Sequence, residues 1–228
     1  MTRSKRVVAG WASSESLGVH PKGSRLSGPR RNCRPEGFNL LETLLVLTLI
    51  VALSVAAIPP IDRWSRGLRV SLAADELVGV LRLARSAAIR HSTKVGVKFR
   101  PGPGDRTTFR MFRDGDGDGV LTRDIDAGID PPLNLPQELA HIGRQIRFGF
   151  PVGVAPRDPG DPRRRLSRLD DPIRFNRSDI ASFNHLGSST PGSLYITDGQ
   201  HHLSAVRLFG RTGKVKVIRY DIQKDIWE

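Results

Sequence analysis

Three aspartates spaced two residues apart are the clearest candidates for metal chemistry. Residues 114–119 alternate aspartate with glycine, so a glycine stands in the sixth position. A calcium loop begins in the same way, because hard carboxylate oxygens converge on the ion and the glycine permits a sharp turn. The twelfth position is Ile125, where that loop needs a bidentate carboxylate, although an aspartate stands on either side of it. The sequence predicts a Ca²⁺ site at Asp114, Asp116 and Asp118; the alternative is an acidic, glycine-rich hairpin loop without metal.

Glu42 is a single carboxylate within an apolar segment. From Phe38 to Ile58 the chain has 21 residues, and Glu42 is the only charged one. As a helix this segment would be about 31 Å long, close to the roughly 30 Å hydrocarbon core of a bilayer. A carboxylate in such a helix needs a partner. A cut between Gly37 and Phe38 would supply one, since the new α-amine would lie four residues before Glu42.

Two other interpretations of this segment are open. Ser54-Val55-Ala56 has the small-x-small pattern of a secretory cleavage site, and an uncut segment would be a plain membrane anchor. Eight basic and two acidic residues precede Phe38, which favours a cytoplasmic N-terminus. Their removal would lower the formal net charge from +13 to +7, so part of the basic character belongs to the leader.

No arrangement of side chains predicts catalysis. His201 and His202 are adjacent in a predicted turn, where solvated side chains are expected, and no nucleophile with a nearby base or zinc-ligand spacing occurs. The glycine-rich stretches lack a P-loop or dinucleotide fingerprint. The chain is therefore predicted not to be an enzyme. The single cysteine, Cys33, precedes the predicted cut, so the mature chain would have no disulfide.

After Pro59-Pro60, which predict the end of the apolar run and a kink, an amphipathic helical pattern continues over 61–92. It contains two apolar stripes on roughly opposite faces: Ile61, Trp64, Leu68 and Leu72, then Ala73, Leu77, Val80, Leu81, Ala84 and Ala88. One sheet cannot cover both stripes. We expect the first to contact neighbouring subunits or lipid headgroups and the second to pack on the chain's own domain; the alternative is a kinked helix wholly inside that domain.

Alternating β-rich runs predict a sheet domain over 93–222, followed by a tail at 223–228. The runs are 93–99, Thr107–Arg113, Ile173–Phe175, Ser193–Thr197, Leu203–Phe209 and Lys214–Tyr220. Residues 151–172 are rich in Pro, Gly, Arg and Asp and predict an exposed loop. Within it, the basic cluster Arg163, Arg164, Arg165 and Arg168 is interpreted as a solvated surface, with phosphate contact as the alternative.

The segment Gly37-Phe38-Asn39-Leu40-Leu41-Glu42 with its apolar run resembles the N-terminal signature of type IV prepilins and type II secretion pseudopilins. The resemblance implies that a prepilin peptidase cuts after Gly37, that Phe38 becomes an N-methylated N-terminus, and that Glu42 pairs with the N-terminal amine of a neighbouring subunit during assembly. It divides the chain into a leader over 1–37 and a transmembrane helix over 38–60.

Later segments resemble the narrower GspH/FimT type of minor pseudopilins and minor pilins. The similarity lies in 81–90 with the following strand, in 193–199, and in the closing hairpin 205–215. It implies a pilin-like α+β fold in which a long N-terminal helix packs on an antiparallel β-sheet domain. Some minor pilins of this type bind DNA through a basic C-terminal hairpin, which makes these residues candidate DNA contacts: Arg211, Lys214, Lys216 and Arg219.

The resemblance implies a subunit of a pilus-like filament in a type II secretion or type IV pilus system. Its partners would be other pilins or pseudopilins, the prepilin peptidase and an inner-membrane assembly platform. We expect a single-pass inner-membrane protein with a periplasmic C-terminal domain. The alternatives are a DNA-binding minor pilin for DNA uptake and a membrane-anchored binding protein that never polymerises.

Overall fold

The computed structural model describes residue 37 and residues 39–103, 106–176 and 178–228, with the backbone alone for 56–61. By internal contacts the chain forms two units, Met1–Thr48 and Leu49–Glu228. In the described part of the first unit, these large apolar side chains are all exposed: Leu40, Leu41, Leu44, Leu45, Val46 and Leu47. The second unit contains the folded domain.

Within these described residues, no helix is long and apolar enough to cross a membrane. The membrane segment predicted at 38–60 includes Phe38 and the side chains of 56–60, which lie outside the described residues.

Helix α1 extends from Leu40 to Arg90 as one helix of 51 residues, and the two prolines predicted to kink it do not interrupt it. Residues 40–60 and 61–90 of the two predicted segments therefore belong to the same helix. Asn39 begins it, since its side-chain oxygen accepts the Leu41 N–H at 3.4 Å. The helix ends before Ser92, which has a positive φ of 52°, and the Thr93 N–H donates to the Ala88 carbonyl at 3.2 Å.

In the described part of the chain, α1 is followed by ten strands, a further α-helix and a 3₁₀ turn that ends at His141. They are β1 (Val95–Pro101), β2 (Thr107–Arg113), α2 (Thr122–Ala127), β3 (Gln137–Glu138), the 3₁₀ turn (Leu139–His141), β4 (Arg147–Phe148), β5 (Ile173–Arg174), β6 (Ile180–Phe183), β7 (Gly192–Thr197), β8 (Leu203–Phe209), β9 (Lys214–Asp221) and β10 (Ile226–Trp227). The first sheet has the strand order β3-β2-β1-β6, and the second has β10-β9-β8-β7-β4, with β5 also pairing with β7. Every described pair is antiparallel, so the predicted α+β class is confirmed.

The main core lies between the C-terminal half of α1 and both sheets. The second predicted stripe of α1 enters it, since Ala73, Leu77, Leu81, Ala84 and Ala88 are fully buried. They pack in one cluster with apolar side chains of the first sheet (Val95, Val97, Phe99, Phe109) and of the second (Leu194, Ile196, Val206, Leu208). The prediction that this stripe covers the chain's own domain is confirmed.

The C-terminal residues are part of the second sheet, which corrects the tail predicted at 223–228. β10 pairs with the end of β9, and Trp227 packs with Tyr195 and Tyr220 in a second apolar cluster. The predicted boundary was wrong because a strand of two residues is too short to show an alternating pattern. Its pairing depends on backbone partners in β9, which the local sequence does not reveal.

The loop 151–172 is also more firmly held than its composition predicts. Leu166 is buried, and the Asp225 carboxylate accepts hydrogen bonds from Arg157 and Arg165, each at 2.8 Å, and from the Tyr220 hydroxyl. The Trp227 indole donates to the Arg157 carbonyl at 2.6 Å. We call this set of contacts around Asp225 the C-terminal clasp. Within the predicted arginine cluster, Arg165 forms an ion pair with Asp225 in this clasp.

Candidate functional site

The predicted processing and assembly residues lie at the start of α1. Gly37 is exposed, and Phe38 lies outside the described residues. Glu42 lies in the first turn of the helix, with an exposed side chain. A carboxylate at this end of a helix interacts favourably with the helix dipole and remains available to a cation. The roles predicted for these three residues stay predictions.

The first predicted stripe of α1 is an exposed apolar surface. The exposed fractions are 70% for Trp64, 42% for Leu68 and 55% for Leu72, whereas Val70 and Ala73 beside them are almost completely buried. Leu49, Ile50, Val51, Leu53 and Val55 are also exposed. We call Trp64, Leu68 and Leu72 the outer stripe. A neighbouring helix or an apolar surface could cover it, because nothing in the described domain does.

A turn between β7 and β8 holds α1 beside this stripe. The Asp198 carboxylate accepts the backbone N–H groups of Gln200, His201 and His202 at 2.9 to 3.0 Å, and its other oxygen lies 2.9 Å from His202 Nδ1. Burial alone would raise the pKa of Asp198, but the hydrogen bonds from the His202 ring and the backbone lower it from 3.8 to about 2.

The same turn contacts the helix directly. The Arg66 guanidinium donates to the Gln200 side-chain oxygen at 3.0 Å. A Cβ atom at Gly67 would lie 3.0 Å from the His202 ring, so a larger residue there would push the ring away. The expected solvated pair of histidines is thus only half correct: His201 is exposed, whereas His202 is partly buried and engaged. Sequence reasoning missed this contact because its partners are about 135 positions apart.

The aspartate loop follows β2 and brings the three predicted ligands together. Oxygen atoms of Asp114, Asp116 and Asp118 lie within 4.8 Å of one another. Asp114 is buried, and its carboxylate accepts the Gly117 N–H at 2.7 Å. Asp118 forms an ion pair with Arg123 at 2.6 Å. Burial and the adjacent Asp116 raise the pKa of Asp118.

Within the described residues, neither position 12 nor Asp124 offers a free bidentate carboxylate to close a calcium loop. Ca²⁺ takes six to eight oxygens, including a bidentate carboxylate at position 12. That position is Ile125. Both oxygens of Asp124 face the Arg123 guanidinium at 3.3 Å, and both oxygens of Asp130 accept backbone N–H groups at 3.0 Å. The three aspartates fit the start of a calcium loop, and the Ca²⁺ site stays a prediction from which no function is derived.

The basic hairpin formed by β8 and β9 separates the four predicted DNA contacts. Arg211 lies in the turn, and Lys214 and Lys216 project from one face of β9. Arg219 is an odd number of residues from both lysines, so it lies on the opposite face, where it donates to the Ser71 hydroxyl of α1 at 2.7 Å. Three of the four therefore share a surface, and DNA binding by them stays a prediction.

Comparisons with known proteins identify the family. The family model described as Type II transport protein GspH matches residues 73–213, which is more than half of the chain. The match extends from the buried stripe of α1 to the turn before β9. No curated protein and no solved structure matches the chain. The chain belongs to the GspH family of type II transport proteins, the minor pseudopilins that act with other pseudopilins in type II secretion.

Proposed function

We propose that this minor pseudopilin is inserted into a pilus-like filament through α1. The outer stripe is the observation that carries the proposal: Trp64, Leu68 and Leu72 are exposed on the helix whose next stripe is the core of the domain. Exposed apolar side chains in register on one helix face are typical of a surface that another subunit covers. Burial of such side chains contributes about 25 cal/mol per Å² of apolar area.

Processing and anchoring complete this proposal. A prepilin peptidase cuts between Gly37 and Phe38 and methylates the new N-terminus. The segment 38–60 anchors the chain in the inner membrane, with the N-terminus in the cytoplasm and the domain in the periplasm. Glu42 then pairs with the N-terminal amine of a neighbour, since a carboxylate in an apolar helix requires a cation. The support is the sequence of this segment and the exposed position of Glu42.

The direct test is secretion by cells in which Trp64→Ala replaces the native chain. We expect secretion and filament incorporation to fall severely while the chain stays folded and stable to proteolysis. Leu186→Ala is the matched control, because Leu186 is an apolar side chain of similar exposure, 76%, on the loop between β6 and β7. Equal secretion by both variants would reject the outer stripe as an assembly surface.

Glu42→Ala tests the alternative of an anchored binding protein that never polymerises. If Glu42 pairs with a neighbour, this variant should be processed normally but should not enter the filament. Unchanged crosslinking to other pseudopilins would favour the alternative. Mass spectrometry of the mature N-terminus tests processing, and any start other than methylated Phe38 contradicts the proposed cleavage.

A further inference from the structure

The outer edge of β9 is only half covered. β10 pairs with Tyr220 and Asp221, and Arg219 exchanges backbone hydrogen bonds with Glu228 at 3.0 and 2.8 Å. Backbone groups of alternate residues in a strand point towards the same side. The N–H and C=O groups of Val215 and Val217 therefore point towards this edge as Arg219 does, and no strand in the described part of the chain pairs with them.

Positive charge surrounds the open part of this edge. Lys214 and Lys216 are exposed, Arg207 stands directly opposite Lys216 in β8, and Arg211 lies in the connecting turn. Among the residues the structure describes, no carboxylate forms an ion pair with any of these four. Like charges directly opposite on a sheet are destabilising, so carboxylates from another molecule would relieve this repulsion.

An apolar hollow adjoins the cations at the end of the hairpin. Phe209 is 39% exposed, and the Arg207 guanidinium lies 5.4 Å from the centre of its ring. The hollow has a volume of about 380 Å³ and is lined by Phe209, Gly210, Arg211, Thr212, Lys214 and Lys216. It can accept one apolar side chain of an adjacent strand.

We propose that the outer edge of β9, from Lys214 to Ile218, binds an extended acidic segment of another protein as an added strand. Val215 and Val217 provide the backbone hydrogen bonds, and Lys214 and Lys216 select carboxylates. Lysines on an edge strand normally prevent unwanted strand pairing. Here they also exclude a second copy of this chain, because two β9 strands would bring lysine against lysine. The proposal does not depend on filament assembly.

The first test uses three peptides and the purified full chain. The probe is an eight-residue peptide that alternates glutamate with valine. One control replaces its glutamates with lysine, and the other keeps the glutamates but carries N-methylated backbone amides. By fluorescence anisotropy we expect the first peptide to bind at least tenfold more tightly than either control, because it alone offers both carboxylates and strand donors.

The second test uses variants of the edge. Val217→Pro removes an outward N–H without removing a donor to β8, and it should weaken binding of the glutamate peptide at least tenfold. Lys216→Glu should weaken it similarly and improve binding of the lysine peptide. Arg144→Glu, beside β4 at the other side of the sheet, makes the same charge change and should leave binding unaltered.

Several results would overturn the proposal. One is that the N-methylated peptide or the lysine peptide binds as tightly as the glutamate peptide. Another is that the glutamate peptide does not bind at all. Tighter binding of a 12-base-pair DNA duplex would identify a nucleic-acid surface instead, and dimerisation lost in Val217→Pro would identify a second copy as the occupant. If Val217→Pro fails to fold by circular dichroism, the N-methylated peptide still decides whether backbone pairing occurs.

Discussion

At the scale of single residues, Asp198 links the β7–β8 turn to the pH of the medium. Its folded pKa of about 2 lies below its ordinary value of 3.8. The folded state therefore binds this proton less readily than the unfolded state, and the carboxylate stabilises the fold above about pH 4. That contribution, about 2 kcal/mol by linkage, is lost as pH falls through the range between the two pKa values.

We expect Asp198→Asn to remove this component of acid sensitivity. The difference in unfolding free energy between the native chain and the variant should be largest near pH 5 and should shrink towards pH 2. Urea denaturation at several pH values measures it. Asp170→Asn, a change at an exposed carboxylate without a described partner, should give a small, pH-independent difference. A constant difference for Asp198→Asn would contradict the assignment.

Gly192 is a position where a side chain has no room. A Cβ atom there would lie 2.2 Å from the Phe175 ring and 2.4 Å from the Arg174 carbonyl oxygen. Gly192→Ala should therefore destabilise the domain by about 3 kcal/mol, since the strand or the buried ring must move. The measurement is chemical denaturation.

Gly79 provides the matched control for that change. A Cβ atom at this exposed position of α1 would meet nothing within 4 Å. Gly79→Ala should stabilise the chain by about 0.5 to 1 kcal/mol, because alanine has the higher helix propensity. The same sign of effect for both glycines would contradict the contacts described at Gly192.

At the scale of elements, α1 contains a buried leucine and an exposed leucine only five residues apart. Leu77 is fully buried in the main core, and Leu72 is 55% exposed. Leu77→Ala should cost about 2 to 5 kcal/mol because it leaves a cavity. Leu72→Ala should change stability by less than about 0.5 kcal/mol but should lower secretion. Thermal unfolding and a secretion assay on both variants test this division.

The sequence predicts the long elements well and the short ones poorly. β2 and β8 have the predicted bounds, and α1 ends at Arg90, two residues before the predicted end at 92, because each has enough residues for its period to be read. The two-residue strands β3, β4 and β10 were not predicted. Their pairing depends on tertiary partners rather than on local pattern. The helix α2 was missed as well, since six residues following the aspartate loop carry no apolar stripe.

The candidate sites differ in the same way, since some depend on local spacing and others on tertiary contacts. Both stripes of α1 could be predicted because helical spacing places Trp64 and Leu77 on different faces. Strand alternation also places Arg219 on the helix side of β9. The prediction missed this because it grouped Arg219 with the other basic residues of the hairpin. The contact between α1 and the β7–β8 turn and the partners of Asp225 could not be predicted, because Arg66 and Arg157 reach Gln200 and Asp225 only through the fold.

At the scale of the whole molecule, the C-terminal clasp holds together parts that are distant in sequence. Arg157 and Asp225 are 68 residues apart, yet Asp225 links the loop 151–172 to the end of the second sheet. The Tyr220 hydroxyl and the two arginines lower the pKa of Asp225, so it remains charged in mildly acidic conditions. The clasp should therefore persist at neutral and mildly acidic pH.

Asp225→Asn should release the loop 151–172 while leaving the main core intact. Asparagine tolerates the positive φ of 57° at this position, so the change tests charge rather than backbone strain. We expect trypsin to cleave after the loop arginines several times faster, as followed by mass spectrometry. Asp170→Asn is the control with the same charge change, and equal cleavage of the two variants would contradict a role for the clasp.

The position of the core helix also sets the order in which this protein can fold. The buried stripe of α1 is made early in synthesis, but Leu194 and Val206, which cover it, follow more than 100 residues later. At about 5 to 20 residues per second, the ribosome needs roughly 5 to 25 s to make the intervening chain. During that interval the stripe lacks the part of its native cover that the second sheet provides. The side chains of α1 that the second sheet covers therefore stay exposed until β7 and β8 are made.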